Sequence, residues 1–393
     1  MKYLLIVPDG MADEPIEALG GRTPLMAAQT PNLDSLVRAG AVGRVRTIPE
    51  GMPPGSDVAA LSIMGYDPAR YYTGRAPLEA AAQGISMGRH DVAYRCNLIT
   101  TDGDHLLDYS GGEISSEESA ELMVAVQQYL GTDCIRFYPG VSYRNLMIWR
   151  NGVADVETTP PHDVIGQPLV PNFPRGNAED FLRFLMWDSY AVLQAHPVNQ
   201  RRIAAGKRPA NMIWLWGQGY RPRLEDFPTA HGVSGAVISA VDLLRGIAHL
   251  AGLRSPRVPD VTGRLDTNWA GKAREAITQL SEVDFVFVHL EAPDECGHQG
   301  DLDGKVRAIE LTDREIIGPV WAAAQHYDAA RVLLLPDHYT PLSRRTHVGK
   351  PVPYVLAGAG ISPTGFDRLD EASAETSPLF VNDGWTLIEQ LLH

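Results

Sequence analysis

The sequence predicts an α/β protein: a mainly parallel sheet flanked by helices, with an α+β domain inserted into it. Three observations predict this. Short, uninterrupted apolar runs recur along the chain, as strands buried on both faces require. Helical patterns lie between those runs, and strand–helix alternation is the mark of an α/β fold. The stretch between about Ser86 and Lys207 breaks the alternation, with shorter and more amphipathic strands.

The apolar runs are Tyr3–Val7, Met212–Trp216, Ala236–Ile238, Phe285–Leu290, Val332–Leu335 and Pro353–Leu356. Helices are expected over Asn32–Ala39, where Gly40 acts as a stop, and over Ser239–Leu250, which ends near Gly252. Two more are expected over Trp269–Leu280 and Lys305–Gln325. In the middle region the strands are Asp91–Thr100 and Asn145–Trp149, and the helices are Glu117–Leu130 and Ala178–Ala195. The predicted division is therefore a core from residues 1–85 and 208–393, and an inserted domain from 86–207. The polar run Gly206-Lys207-Arg208-Pro209 is read as the second linker.

With 393 residues the chain exceeds the size at which one core usually stops growing. The net charge of −14 argues against nucleic-acid binding, which depends on lysines and arginines to neutralise phosphates. A small anionic substrate stays compatible, because a metal or a local arginine cluster can reverse the field in one cleft. The three cysteines, Cys96, Cys134 and Cys296, are odd in number and far apart, which fits a reducing cytoplasm. The N-terminal apolar run stops at Pro8-Asp9-Gly10, too early for a signal peptide, and no stretch is long enough to span a bilayer.

Three of the apolar runs end in metal-type ligands. Tyr3–Val7 leads into Asp9, Phe285–Leu290 into Asp294 and His298, and Val332–Leu335 into Asp337 and His338. Ligands of open α/β sheets bind beyond the carboxyl ends of the strands, so these groups are expected at one sheet edge. Asp294 and His298 are four residues apart and share a face if that segment is helical. His347 completes the set. Carboxylates and imidazoles without a thiolate favour manganese, magnesium or zinc over copper or iron–sulfur chemistry. Two such ions would clamp the attacking and leaving oxygens of an in-line displacement. The nucleophile is read as Ser56, after the loop Gly51-Met52-Pro53-Pro54-Gly55 and before an expected helix over Asp57–Met64. A serine there is ordinarily an N-cap, but free N–H groups at a helix start also favour an anion.

These residues resemble the cofactor-independent (2,3-bisphosphoglycerate-independent) phosphoglycerate mutases of the archaeal type, in the alkaline phosphatase superfamily. The matching stretches include Val7-Pro8-Asp9-Gly10, Pro54-Gly55-Ser56-Asp57-Val58-Ala59, Tyr72-Thr73-Gly74-Arg75 and Asp108-Tyr109-Ser110-Gly111-Gly112. They continue through Asp294-Glu295-Cys296-Gly297-His298, Pro336-Asp337-His338 and Thr346-His347, so the likeness spans nearly the whole chain. It implies an alkaline-phosphatase-like core. One divalent ion would be held by Asp9, Ser56, Asp337 and His338, and a second by Asp294, His298 and His347. Manganese comes first, with magnesium, zinc or cobalt as alternatives, and no 2,3-bisphosphoglycerate is needed. Ser56 would carry the phosphoryl group during interconversion of 3-phosphoglycerate and 2-phosphoglycerate. The inserted domain would close over the substrate, with Arg75, Arg95, Arg144 and His162 contacting it.

Two positions depart from the family pattern. Relatives tend to have lysine where this chain has Ser234, and histidine where it has Ala60. These departures keep open a second reading with the same site: a phosphatase or phosphotransferase acting on another small phosphorylated hydroxy acid. The homoserine kinase label of some bacterial relatives falls under it. A third reading is a non-enzymatic metal-binding protein. No nucleic-acid or membrane partner is expected, and the oligomeric state is left open.

Overall fold

The computed structural model describes residues 1–393. The chain forms two compact units: Met1–Tyr72 with Arg223–His393, and Thr73–Pro222. No helix is long and apolar enough to cross a membrane.

The first unit is built on a seven-stranded sheet. Its order is Gly235–Ile238, Phe285–Leu290, Lys2–Pro8, Ala330–Leu334, Val352–Gly358, Gly40–Val45, Phe380–Val381. The first four strands are mutually parallel. On one face Leu4, Ile6, Val286, Val288, Val332 and Leu334 form a core with Leu33, Leu36, Ala276, Leu280, Ile309 and Val320 of the covering helices. The alternate residues point the other way, where Phe227 stacks on Phe285 with ring centroids 5.0 Å apart. Each fully buried aliphatic side chain here stabilises the unit by about 1.5–3 kcal/mol. That is why these runs are almost wholly apolar until the strand ends, with the buried His289 as an exception.

The second unit carries an all-antiparallel sheet. Val92–Thr101 pairs with Leu106–Asp108, Arg144–Trp149 and Met212–Tyr220, and Arg144–Trp149 also pairs with Ile135–Val141. Helices Ser116–Leu130 and Glu179–Gln194 supply Leu122, Val126, Leu182 and Met186 to its core.

Five expectations need correction. Met212–Trp216, read with the parallel strands, lies in the antiparallel sheet of the second unit. Pro353–Leu356 lies in the first sheet, but antiparallel to both neighbours. Burial on both faces removes the polar alternation that would have shown strand direction. The inserted unit spans Thr73–Pro222, wider than 86–207. Its helix Ala76–Ala82 packs Ala76 and Ala80 against Ala93, Leu146 and Ile148. The polar run 206–209 is an internal loop, held by Arg202, whose Nε donates to the Arg208 carbonyl at 2.9 Å. Finally, Lys305–Gln325 is not one regular α-helix. Leu302–Leu311 passes through a π-helical turn, Thr312–Ile317, into Gly318–Ala324. Pro319 has no N–H to donate and its ring crowds the preceding turn. In the wide turn Asp313 accepts the Leu33 N–H at 2.7 Å, capping the helix Pro31–Arg38.

Candidate metal centre

The strands Phe285–Leu290, Lys2–Pro8 and Ala330–Leu334 are adjacent and parallel, so their carboxyl ends share one edge. Asp9 follows the central strand and Asp337 follows Ala330–Leu334 by three residues. After Phe285–Leu290 the chain enters the helix Ala292–Gln299, which puts Asp294 and His298 one turn apart on one face. The turn at Gly10 takes φ +58°, and a Cβ there would lie 2.6 Å from Asp294 Oδ1. The backbone can approach this closely only because residue 10 is glycine.

Asp9, Asp337, His338 and Ser56 form one group. Asp337 Oδ1 accepts the Gly10 and His338 N–H groups at 3.0 and 2.9 Å. Its Oδ2 lies 3.3 Å from His338 Nε2, and Asp9 Oδ1 lies 3.5 Å from the same nitrogen. Both oxygens are buried without a hydrogen-bond partner. Two unpartnered carboxylate oxygens beside an imidazole nitrogen would be costly unless a cation joined them. Burial and the nearby Asp337 and Asp294 carboxylates push Asp9 well above the usual carboxylate range. A cation would relieve that repulsion.

Ser56 is the first residue of the helix Ser56–Ile63, not its cap; Gly55 takes the cap position. Its hydroxyl is turned toward the centre, with Oγ 3.1 Å from His338 Nε2. Burial lowers His338 to about 4, so its ring is neutral at pH 7.

Asp294, His298 and His347 form the second group. His298 Nε2 lies 3.2 Å from Asp294 Oδ2, and His347 Nε2 lies 3.5 Å from Oδ1. The two Nε2 atoms face each other at 2.9 Å. His298 Nδ1 lies 3.0 Å from the Arg345 carbonyl, which can only accept, so that nitrogen is the proton bearer. Burial pulls His298 down, but its hydrogen bond to Asp294, the Asp294 charge, the Arg345 carbonyl and the Glu295 charge together outweigh this and lift it to about 9. Thr340 links the two groups, with Oγ1 2.5 Å from Asp294 Oδ1 and 3.2 Å from His338 Nδ1. These hard-to-borderline donors, with Asp9 Oδ1 and Asp337 Oδ2 lacking any hydrogen-bond partner, fit divalent cations.

Sequence reasoning missed Thr340 and a buried group behind Asp9. His289 Nε2 lies 3.2 Å from Asp9 Oδ2, and its Nδ1 lies 3.1 Å from Glu291 Oε1. Lys272 Nζ reaches Glu291 Oε2 at 2.7 Å. The available signal was a histidine inside the apolar run Phe285–Leu290.

The four residues expected to contact substrate all lie in the second unit and are joined through other side chains there. Glu79 Oε1 accepts from Arg75 Nε at 3.0 Å, and its Oε2 lies 3.0 Å from Arg95 Nε. Arg95 lies over Trp216, which also contacts the His162 ring at 5.4 Å between centroids. His162 meets Tyr109, Tyr109 meets Tyr143, and Arg144 lies over Tyr143. Three arginines act on the one carboxylate of Glu79. Burial, partly offset by Glu79 and reinforced by Arg75 and Arg144, lowers Arg95 to about 10. The unit thus holds a local excess of positive charge within an acidic chain.

The two departures differ in their relation to the candidate ligands: Ser234 lies at the opposite end of the sheet, whereas Ala60 lies one helical turn after Ser56. Ser234 directly precedes the strand Gly235–Ile238, at the amino end of the sheet, where its Oγ donates to Asp284 at 2.6 Å. Ala60 is buried inside the helix Ser56–Ile63.

The comparisons agree with this architecture. A family model described as 2,3-bisphosphoglycerate-independent phosphoglycerate mutase matches residues 38–199. The chain is 50% identical over 393 residues to the protein of that name from Methanothrix thermoacetophila, covering 100% of both. It is 48% identical over 395 residues to the one from Methanosarcina acetivorans, again covering 100% of both. A solved Pyrococcus horikoshii structure superposes with a TM-score of 0.84 at 30% identity, covering 100% of this chain and 98% of that one. The cofactor-independent phosphoglycerate mutase of Thermoplasma acidophilum gives 0.66 at 27% identity, covering 100% of both. From its full-length identity to named members, this chain belongs to the 2,3-bisphosphoglycerate-independent phosphoglycerate mutase family.

Proposed function

We propose that this protein interconverts 3-phosphoglycerate and 2-phosphoglycerate through a phosphoserine at Ser56, without 2,3-bisphosphoglycerate. The observation that carries the reading is the Ser56 hydroxyl, 3.1 Å from His338 Nε2 and set beside two unpartnered carboxylate oxygens. Asp9, Ser56, Asp337 and His338 would hold one divalent ion, and Asp294, His298 and His347 the other. Manganese is the first choice. Bound there, the ions would supply positive charge toward phosphoryl oxygens and lower the pKa of a nearby hydroxyl.

In the first half-reaction Ser56 Oγ bonds to phosphorus as the bond from phosphorus to the substrate oxygen breaks. That oxygen takes up a proton and becomes a free glycerate hydroxyl. The other glycerate hydroxyl then attacks the phosphoserine and restores Ser56. The proposed substrate-binding unit is Thr73–Pro222. Its Arg75, Arg95, Arg144 and His162 would hold the carboxylate and phosphate, since guanidinium groups pair well with such planar or multidentate anions. The free thiols suit a cytoplasmic setting.

The test is a 3-phosphoglycerate mutase assay with chelator, Mn²⁺ add-back and Ser56→Ala alongside. Activity should vanish with chelator and return with Mn²⁺. Ser56→Ala should lower kcat by on the order of 10⁴-fold or more, as loss of a covalent nucleophile does. Release of inorganic phosphate without isomerisation would refute the mutase reading and favour a phosphatase.

A further inference from the structure

Behind Asp9 the first unit buries a line of alternating charges that the phosphoryl transfer itself does not consume. Lys272 Nζ donates to Glu291 Oε2 at 2.7 Å and to the His289 carbonyl at 3.0 Å. Glu291 Oε1 accepts from Ser239 Oγ and from the Ala240 N–H, each at 3.0 Å. His289 Nδ1 approaches the same oxygen at 3.1 Å, while His289 Nε2 lies 3.2 Å from Asp9 Oδ2. All four charged residues are buried, and Lys272 is 0% exposed.

The geometry restricts how the ring can bond. Glu291, saturated with donors, can only accept from Nδ1, so that nitrogen carries a hydrogen. Nε2 faces another carboxylate oxygen at hydrogen-bond distance. With Asp9 ionised, as ligation of a cation requires, a lone pair there would oppose a lone pair in a water-free interior, where such contacts are most costly. The contact is favourable when Nε2 donates. Asp9 then has one oxygen engaged, while Oδ1, which has no hydrogen-bond partner, is left for a cation.

We propose that His289 is a positioning residue: it donates from Nε2 to Asp9 Oδ2, anchored by Glu291 and Lys272, so that Asp9 presents only Oδ1 to the metal. The proposal rests on Asp9 being a metal ligand, as argued above. Hydrogen-bonded partners of ligating carboxylates orient the ligand before the ion arrives, and their loss weakens binding about 10–100-fold. His289 supplies that orientation rather than a ligand atom of its own.

Divalent-ion binding by the purified full chain, measured by calorimetry with Mn²⁺, tests this. His289→Leu should weaken one of the two ions about 10–100-fold. His289→Gln keeps a nitrogen donor at the Nε2 position and should recover at least about tenfold of that loss. The visible spectrum of the Co²⁺-loaded His289→Gln protein should match that of the unsubstituted protein, because no imidazole ligand is removed. If His289→Leu does not fold, Glu291→Gln is the substitute; it loosens the anchor and should weaken the same ion with the Co²⁺ spectrum unchanged. Unaltered Mn²⁺ affinity in His289→Leu, or in its substitute, overturns the proposal. So does a Co²⁺ spectrum altered by His289→Gln, which would make the ring a ligand. Asp9→Asn is the control that separates the two levels. If it binds both ions as the unsubstituted protein does, the metal reading of the site fails; if it loses one while His289→Leu does not, only this inference fails.

Discussion

Replacing Thr340 by valine removes one hydroxyl and nearly nothing else, yet both ligand groups depend on it. Thr340 is 0% exposed. Its Oγ1 lies 2.5 Å from Asp294 Oδ1 and 3.2 Å from His338 Nδ1. A hydroxyl has one proton, and the carboxylate can only accept it. The His338 ring is neutral, so Nδ1 must be the donor to Oγ1 and Nε2 is left bare toward Ser56, Asp9 and Asp337. Valine leaves a buried Nδ1–H and a buried carboxylate oxygen short of a partner, at about 1–3 kcal/mol each before relaxation. In the metal-free protein the ring has an escape. It can move its proton to Nε2, where Asp337 Oδ2 waits at 3.3 Å. That escape caps the stability loss near 2 kcal/mol, a fall of about 4–8 °C in Tm for a unit of this size. It also protonates the nitrogen proposed to bind the metal. Thr340→Val should therefore weaken Mn²⁺ binding about 10–100-fold, more than its stability loss suggests, with activity largely restored at high Mn²⁺. Thr340→Ser should stay close to the unsubstituted protein. Calorimetry with Mn²⁺ and thermal unfolding in chelator decide it. Mn²⁺ affinity within twofold of the unsubstituted protein in Thr340→Val would refute the tautomer argument.

Other substitutions probe separate links in the same chain of cause. Gly10→Ala would force a Cβ to 2.4 Å from Thr340 Oγ1 at φ +58°, so mutase activity should fall at least about tenfold even with excess Mn²⁺. Arg95→Lys loses the planar group over Trp216 and beside Glu79, and should raise KM for 3-phosphoglycerate by about tenfold with Mn²⁺ affinity unchanged in calorimetry. Glu371 is a pH probe. Burial, opposed by hydrogen bonds from Thr23 and the Asp13 N–H, raises it to about 7 from the usual 4.5. Its contribution to stability is thus complete below pH 4.5 and lost as pH rises through 7. Because the residue is only half-buried, Glu371→Gln should stabilise by about 1–2 kcal/mol at pH 8 and by nothing at pH 4, read from urea unfolding at both. In the unsubstituted protein, Mn²⁺ should raise Tm with concentration, by about 2.7 kcal/mol of stability at a hundredfold excess over Kd.

How much of this was legible in the sequence depends on what each residue's neighbours demand of it. The parallel strands Lys2–Pro8, Phe285–Leu290 and Ala330–Leu334 were legible because burial on both faces leaves them mostly apolar until the strand ends. Val352–Gly358 was legible as a strand but not in direction, since the same burial erases polarity along it. Gly40–Val45 was hidden: two glycines weaken its strand pattern, and Gly40 also reads as a helix stop. The extent of the inserted unit was hidden for a different reason. Met212–Tyr220 is as apolar at its start as any core strand, and only its partner, Val92–Thr101, assigns it to the second unit.

At the candidate metal centre, legibility followed chain direction. Asp9, Asp294 and Asp337 could be grouped because parallel neighbours must end on the same side, and Ser234 falls away by the same rule, since it precedes its strand. Residues that act through another side chain gave no such handle. Lys272 shows why. On the helix Trp269–Glu282 it lies within the stripe of Trp269, Ala273, Ala276 and Leu280, where helical spacing demands an apolar residue. A lysine there would be destabilising by itself, because an unpaired buried charge costs several kcal/mol. It therefore requires a buried anion within reach, and that anion, Glu291, requires further donors. His289 is the one that leads to Asp9. A polar residue on an apolar stripe and a histidine inside an apolar strand are two ends of one buried network. Read separately, each looks like a packing exception; read together, they point at the same carboxylate, Asp9.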